Sequence, residues 1–162
     1  MGDIYTEQLV KRKNTGKVAV EKIALIFITI VVLVLGLMIP YVGILFLVMI
    51  GVDVYLFRSM DVEYEYLYIN GNLDVDKIMS KSRRKKVFEM NVSELEILAP
   101  VGCPELRPFQ GMKSLDYSSG EEGRKVYEMI ILSNGEKKKI VFEPNDTIVD
   151  GMRMYAPRKV VR

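Results

Sequence analysis

The polarity of the chain changes abruptly twice. From Ile23 to Phe57 it reads IALIFITIVVLVLGLMIPYVGILFLVMIGVDVYLF, with Asp53 as the one charged residue, while on either side charges return every few positions. An apolar run of about 18 residues or more reads as membrane-spanning. A secretory signal has a shorter apolar region and a small-residue cleavage site, and neither is found here. As one straight helix the run would extend roughly 52 Å, at about 1.5 Å per residue, across a hydrocarbon core about 30 Å thick. LGLMIPY in its middle contains Gly36 and Pro40, and proline both removes a backbone donor and clashes with the preceding turn. The pattern predicts two transmembrane helices, about 23–38 and 41–57, each near the short end of the spanning range, so that the bilayer thins or flanking side chains snorkel. A single kinked and strongly tilted span is the alternative.

Beyond the apolar run the periodicity shifts to strands. VEYEYLYI (62–69) alternates with period two, Asn70-Gly71 is a strong hairpin signal, and LDVDKIM returns. A two-residue turn pairs Ile69 with Asn72, which puts Val62, Tyr64, Tyr66 and Tyr68 on one face with Leu73, Val75 and Met79, and Lys77 as a misfit. Glu63, Glu65, Asp74 and Asp76 take the other face. Glu65 then lies directly opposite Asp76, a destabilising pair that calls for a positive neighbour. A divalent ion would serve, but carboxylates on strands without a ligand loop are usually solvated, and the adjoining basic segment is the preferred neutraliser.

VFEMNV and ELEIL predict a third strand interrupted near Ser93, PELRPF a helical turn, MKSLDYSS a further strand, and GEEG a loop. A second hairpin turns at Asn134-Gly135, with Tyr127, Met129, Ile131, Ile140 and Phe142 on its buried face. Asn145 or Asp146 can cap a closing helix, about 146–156, whose Ile148, Val149, Met152 and Tyr155 fall at helical spacing before Pro157 stops it. The fold class expected is α+β: an N-terminal transmembrane helical hairpin, then a mainly antiparallel β domain over 58–162 whose curved sheet is plugged by the C-terminal helix.

Charge adds topology. Lys11, Arg12, Lys13, Lys17 and Lys22 precede the apolar run, Arg58 closes it, and the connecting turn has no cation, so both termini should be cytoplasmic in a multi-pass protein of the cell membrane. Residues 1–22 read as a basic, partly helical cytoplasmic lead-in resting at the interface. A net charge of +2 and a pI near 8.5 are too mild to suggest nucleic acid. Histidine is absent and Cys103 is the lone cysteine, so a Ser/His/Asp set and an internal disulfide are both excluded, and no glycine-rich phosphate loop or cofactor motif is present. No catalytic residue, resident metal or cofactor is expected.

EQLVKRK, the two-pass run, DVEYEYLYINGNLDVDKIMSKSRRKKV, ILAPVG, DYSSG, FEPN and APRKV resemble a family of small clostridial two-span membrane proteins that carry a domain of unknown function. The C-terminal portion is similar in strand order and final helix to bacterial pleckstrin-homology-like (PH-like) domains, which often follow paired transmembrane helices. The resemblance implies the fold and topology above, and assigns no activity to any residue.

The densest basic stretch is KSRRKK. If the first strand leaves the bilayer at Val62 and travels about 25 Å outward at roughly 3.3 Å per residue, the second brings this stretch back to the membrane. Lys81, Arg83, Arg84, Lys85 and Lys86, with Arg58 beside them, would then meet anionic headgroups or a partner, each gaining on the order of 1 kcal/mol. The bland alternative is a solvated turn, with Lys85 and Lys86 crossing to the acidic face of the first hairpin. Lys137, Lys138 and Lys139 read as a solvated hairpin arm. Asp53 is the intramembrane polar candidate, and snorkelling or pairing with Arg58 or Lys22 gives it a structural role; a transport role would need oligomers. Gly43 and Gly51 share a helix face with bulky Leu47 between them, a weak dimer signal. The reading is a membrane-anchored, non-enzymatic binding or scaffold protein whose partners are the lipid bilayer and either another protein or further copies of itself. The alternative is an auxiliary subunit of a membrane transport or envelope complex assembled through the hairpin.

Overall fold

A computed structural model describes residues 4–13 and 16–162. The chain begins with a strand, β1 (Tyr5–Lys11), followed by two apolar helices, α1 (Gly16–Met38) and α2 (Pro40–Ser59). At about 1.5 Å per residue these helices are about 35 and 30 Å long, enough to cross a hydrocarbon core without thinning it. The break falls at Ile39, whose extended backbone precedes Pro40 in the first turn of α2, where a missing N–H costs nothing. α1 starts well before Ile23 because Lys17, Glu21 and Lys22 are good helix formers and the apolar run extends the helix they begin.

The hairpin is close at its tip. A Cβ added to Gly36 would meet the Gly43 backbone at 3.1 Å, so Gly43 faces across the hairpin rather than joining Gly51 in a dimer face. Lower down, Thr29 and Asp53 are buried against each other, and Thr29 Oγ1 donates to Asp53 Oδ2 at 2.5 Å. Asp53 therefore pairs with neither Arg58 nor Lys22. Residues five apart on one helix point about 140° away from each other, and Asp53 turns toward α1 while Arg58 does not.

The β domain contains two sheets. The first, β1-β2-β3-β4, is antiparallel throughout, with β2 at Val62–Ile69, β3 at Asn72–Met79 and β4 at Arg83–Asn91. The second has the order β5-β7-β8-β6, with β5 at Leu95–Pro100, β6 at Ser114–Asp116, β7 at Tyr127–Ser133 and β8 at Glu136–Phe142. The interruption near Ser93 is a single tight turn, Val92–Glu94, that carries the chain from one sheet to the other. β6 runs parallel to β8, and Lys159–Val161 adds a short parallel bridge along β5. Between the sheets lie Tyr64, Tyr66, Tyr68, Leu73 and Val75 from one side and Met129, Ile131, Ile140 and Phe142 from the other, all buried. α3 (Asp146–Tyr155), capped by the Asn145 side chain, closes this core with Ile148, Val149 and Met152. It packs so closely that a Cβ on Gly151 would lie 2.5 Å from the Tyr68 ring.

The N-terminal segment is the largest departure from the sequence reading. Residues 5–11 are no detached lead-in; they pair along the whole of β2, from Tyr5 opposite Ile69 to Lys11 opposite Glu63. Val10 joins the core, and the Gln8 side chain donates to the Glu143 carbonyl while accepting from the Asn145 N–H. Arg12 donates to the Tyr64 hydroxyl at 2.7 Å, and the Lys13 N–H bonds to the Ser119 carbonyl. The transmembrane hairpin is thus inserted between the first two strands of one domain. Because β1 and β2 are hydrogen-bonded neighbours, the outer ends of the two apolar helices are held side by side. Lys139 also departs from expectation: it is buried on the outer face of β8 and paired with Glu128 at 2.8 Å, so only part of the second basic run is solvated.

Two predictions follow the architecture. Replacing residues 14–59 with a short Gly/Ser loop should leave a soluble domain with a cooperative melt, because Arg12 N–H already reaches the Val62 carbonyl at 3.0 Å. A fragment starting at Asp61 loses β1, bares the β2 edge and should melt without cooperativity or aggregate; an equally cooperative melt would contradict the role assigned to β1. Thr29→Val in the full chain should weaken the hairpin by about 0.6–2 kcal/mol, read as a lower melting temperature in detergent, and an unchanged melt would show that the Asp53 contact contributes nothing.

Candidate functional site

The basic turn lies against the C-terminal end of α2. Only Met60 and Asp61 separate that helix from β2, and the turn after β3 folds back onto the same point. Ser80 N–H donates to the Asp61 carbonyl at 3.1 Å, and Ser80 Oγ donates to the Arg58 carbonyl at 2.5 Å. Ser82 N–H closes the turn onto Met79 at 3.2 Å. Its two central residues, Ser80 and Lys81, have φ of 55° and 56°. The protein's other two hairpin turns place Asn-Gly at such positions, where glycine takes positive φ freely; here a lysine is held there at a cost on the order of 1 kcal/mol.

Strand alternation divides the cations. Arg84 and Lys86 point to the outer face of the first sheet. Arg84 contacts Glu65 at 2.9 Å and Asp76 at 3.9 Å, which supplies the positive neighbour that the Glu65/Asp76 pair requires. No group of three or more metal-ligating side chains occurs among the described residues. Lys86 contacts Asp74 at 2.8 Å and Glu89 at 3.0 Å, and those hydrogen bonds push its pKa above the ordinary lysine range. Lys85 does not cross over with Lys86, since it lies opposite Lys77 on the other face.

Lys81, Arg83, Lys85 and Arg58 are exposed and have no ion pair among the described residues. Arg83 and Arg58 both line a cleft of about 390 Å³, together with Tyr55, Ser59 and Ser82. Lys11, paired with Asp61 at 3.5 Å, stands at the same end, where β1 leads into α1. The six basic residues singled out in the sequence therefore separate into four unpaired cations at the helix end and two already neutralised by strand carboxylates. Ser80, which shapes the site, carried no sequence signal, because its part is to bond the backbone of a segment about twenty positions away. Asp53 lies apart from this cluster, within the hairpin, and its Oδ1 has no partner among the described residues.

Two sheets closed by a C-terminal helix, behind a pair of apolar helices, agree with the family comparison. A family model described as a bacterial PH-like domain (DUF6106) matches residues 2–162. No curated protein and no solved structure matches the chain significantly. The family match begins ahead of the apolar helices, in keeping with a first strand that belongs to the domain, and the chain is a member of the bacterial PH-like domain family DUF6106.

Proposed function

We propose that this protein is a membrane-anchored, non-enzymatic binding module that holds one end of its PH-like domain against the cytoplasmic leaflet of the cell membrane, with both termini cytoplasmic, and contacts anionic headgroups through Lys81, Arg83, Lys85 and Arg58. The observation that carries the reading is the pair of hydrogen bonds from Ser80 to the carbonyls of Arg58 and Asp61. They hold the basic turn, and with it the unpaired cations, against the end of α2. An anionic leaflet attracts each nearby cation by about 1 kcal/mol, and the attraction fades as salt shortens the screening length. The tether supplies the rest, since a domain joined to both helices cannot diffuse away.

Hydrogen exchange of residues 79–86 tests this in full-length protein reconstituted into vesicles. The segment should be protected in vesicles containing phosphatidylglycerol relative to pure phosphatidylcholine, and protection should decline at high salt. Neutralising Lys81, Arg83 and Lys85 to Gln should abolish the difference, whereas Arg84→Gln with Lys86→Gln should largely retain it. Exchange that ignores lipid charge would refute headgroup contact.

Orientation has a separate check in the lone cysteine. Cys103, half-buried in the β domain, should resist a membrane-impermeant thiol reagent in intact cells and react after permeabilisation. Labelling of intact cells would place the domain outside.

A further inference from the structure

We infer that the cleft between the end of α2 and the basic turn is a discrete phosphate-binding site, taking one phosphate group as carried by an anionic phospholipid headgroup; this deepens the headgroup-contact reading and rests on it. Arg58 comes to it from the helix and Arg83 from β4, and among the described residues no acidic side chain lines it. Guanidinium groups present paired donors that match phosphate oxygens, so two of them facing one cleft make a clamp rather than a diffuse field. The larger cleft of about 850 Å³ offers a contrast: Arg124 and Arg162 line it too, but each is spent on a carboxylate of the same cleft, Glu121 and Asp150.

A helix C-terminus ordinarily repels anions, because its last carbonyls are unpaired and carry the negative end of the dipole. Here two of those carbonyls are covered. Leu56 O accepts from Ser59 Oγ at 2.8 Å and from Met60 N–H at 3.1 Å. Arg58 O accepts from Ser80 Oγ and from Asp61 N–H. Two of the cleft's serines thus lessen the obstacle to an anion, and Ser82 and Tyr55 also line the cleft. The Ser80 bonds also hold the turn, and with it Arg83, against the helix that carries Arg58.

Native mass spectrometry of the full chain released from nanodiscs tests the site. Wild type should retain one phosphatidylglycerol per chain. Arg58→Gln with Arg83→Gln should lower retention at least tenfold, whereas Lys81→Gln with Lys85→Gln, which removes the same charge outside the cleft, should lower it less than threefold. Equal losses in the two variants would overturn the clamp in favour of diffuse attraction. Retention that survives loss of both arginines would overturn it outright. A parallel arm titrates inorganic phosphate against the detergent-solubilised chain by phosphorus NMR. Arginine-dependent binding of phosphate that displaces the lipid supports the site with free phosphate as a second source; lipid retention without phosphate binding assigns it to the headgroup. If hydrogen exchange responds to lipid charge while retention ignores Arg58 and Arg83, the cleft alone is wrong. If exchange also ignores lipid charge, the headgroup reading falls with it.

Discussion

The architecture depends on the hydrogen-bonded pairing of β1 with β2, two strands separated in sequence by the whole transmembrane hairpin. Closing a loop of that length costs little more than closing a shorter one, because the entropy rises only with the logarithm of length. Insertion of the helices into a bilayer reduces the cost further, since it brings their outer ends together. The sheet and the hairpin therefore support each other. Two helices that cross and return deliver β1 beside β2, and the paired strands hold the helix ends side by side.

That arrangement makes the domain an outgrowth of the hairpin. A domain linked through one flexible segment could tumble, whereas this one is joined through two adjacent strands with connections of only a few residues. The same end of the first sheet must always face the ends of the two helices. Every residue at that end, from Lys11 to Arg83, acquires its setting from this constraint. The Ser-Lys turn is the clearest instance, because its positive φ values are retained where Asn-Gly serves elsewhere in the chain. Strain of this kind persists where surrounding contacts over-determine it, and the Ser80 bonds to α2 are such contacts.

Much of the fold was legible because its signals are local. The Asn-Gly turns set the registers of β2/β3 and β7/β8, so the opposition of Glu65 and Asp76 followed from counting alone. Asn145 capped α3 as its side chain allows. β1 was hidden by contrast: TEQLV is too polar to read as a strand, since Gln8 earns its place through bonds to Glu143 and Asn145 on the far side of the domain. The partner of Asp53 was hidden for a related reason. Its nearest cation along the chain is Arg58, but its nearest donor in space is Thr29, on the other helix.

The sequence by itself determined that two apolar helices double back at Ile39-Pro40, that strands follow, and that a basic stretch returns toward the end of the second helix. Each of these comes from hydrophobic periodicity, proline geometry or turn chemistry acting within a few residues. Only the tertiary structure decided which cations remain unpaired, because neutralisation of Arg84 and Lys86 depends on strand register and on the bulge in β4. It also decided that Arg58 and Arg83 share a cleft, which required a helix end and a turn to be bonded across a sheet hairpin.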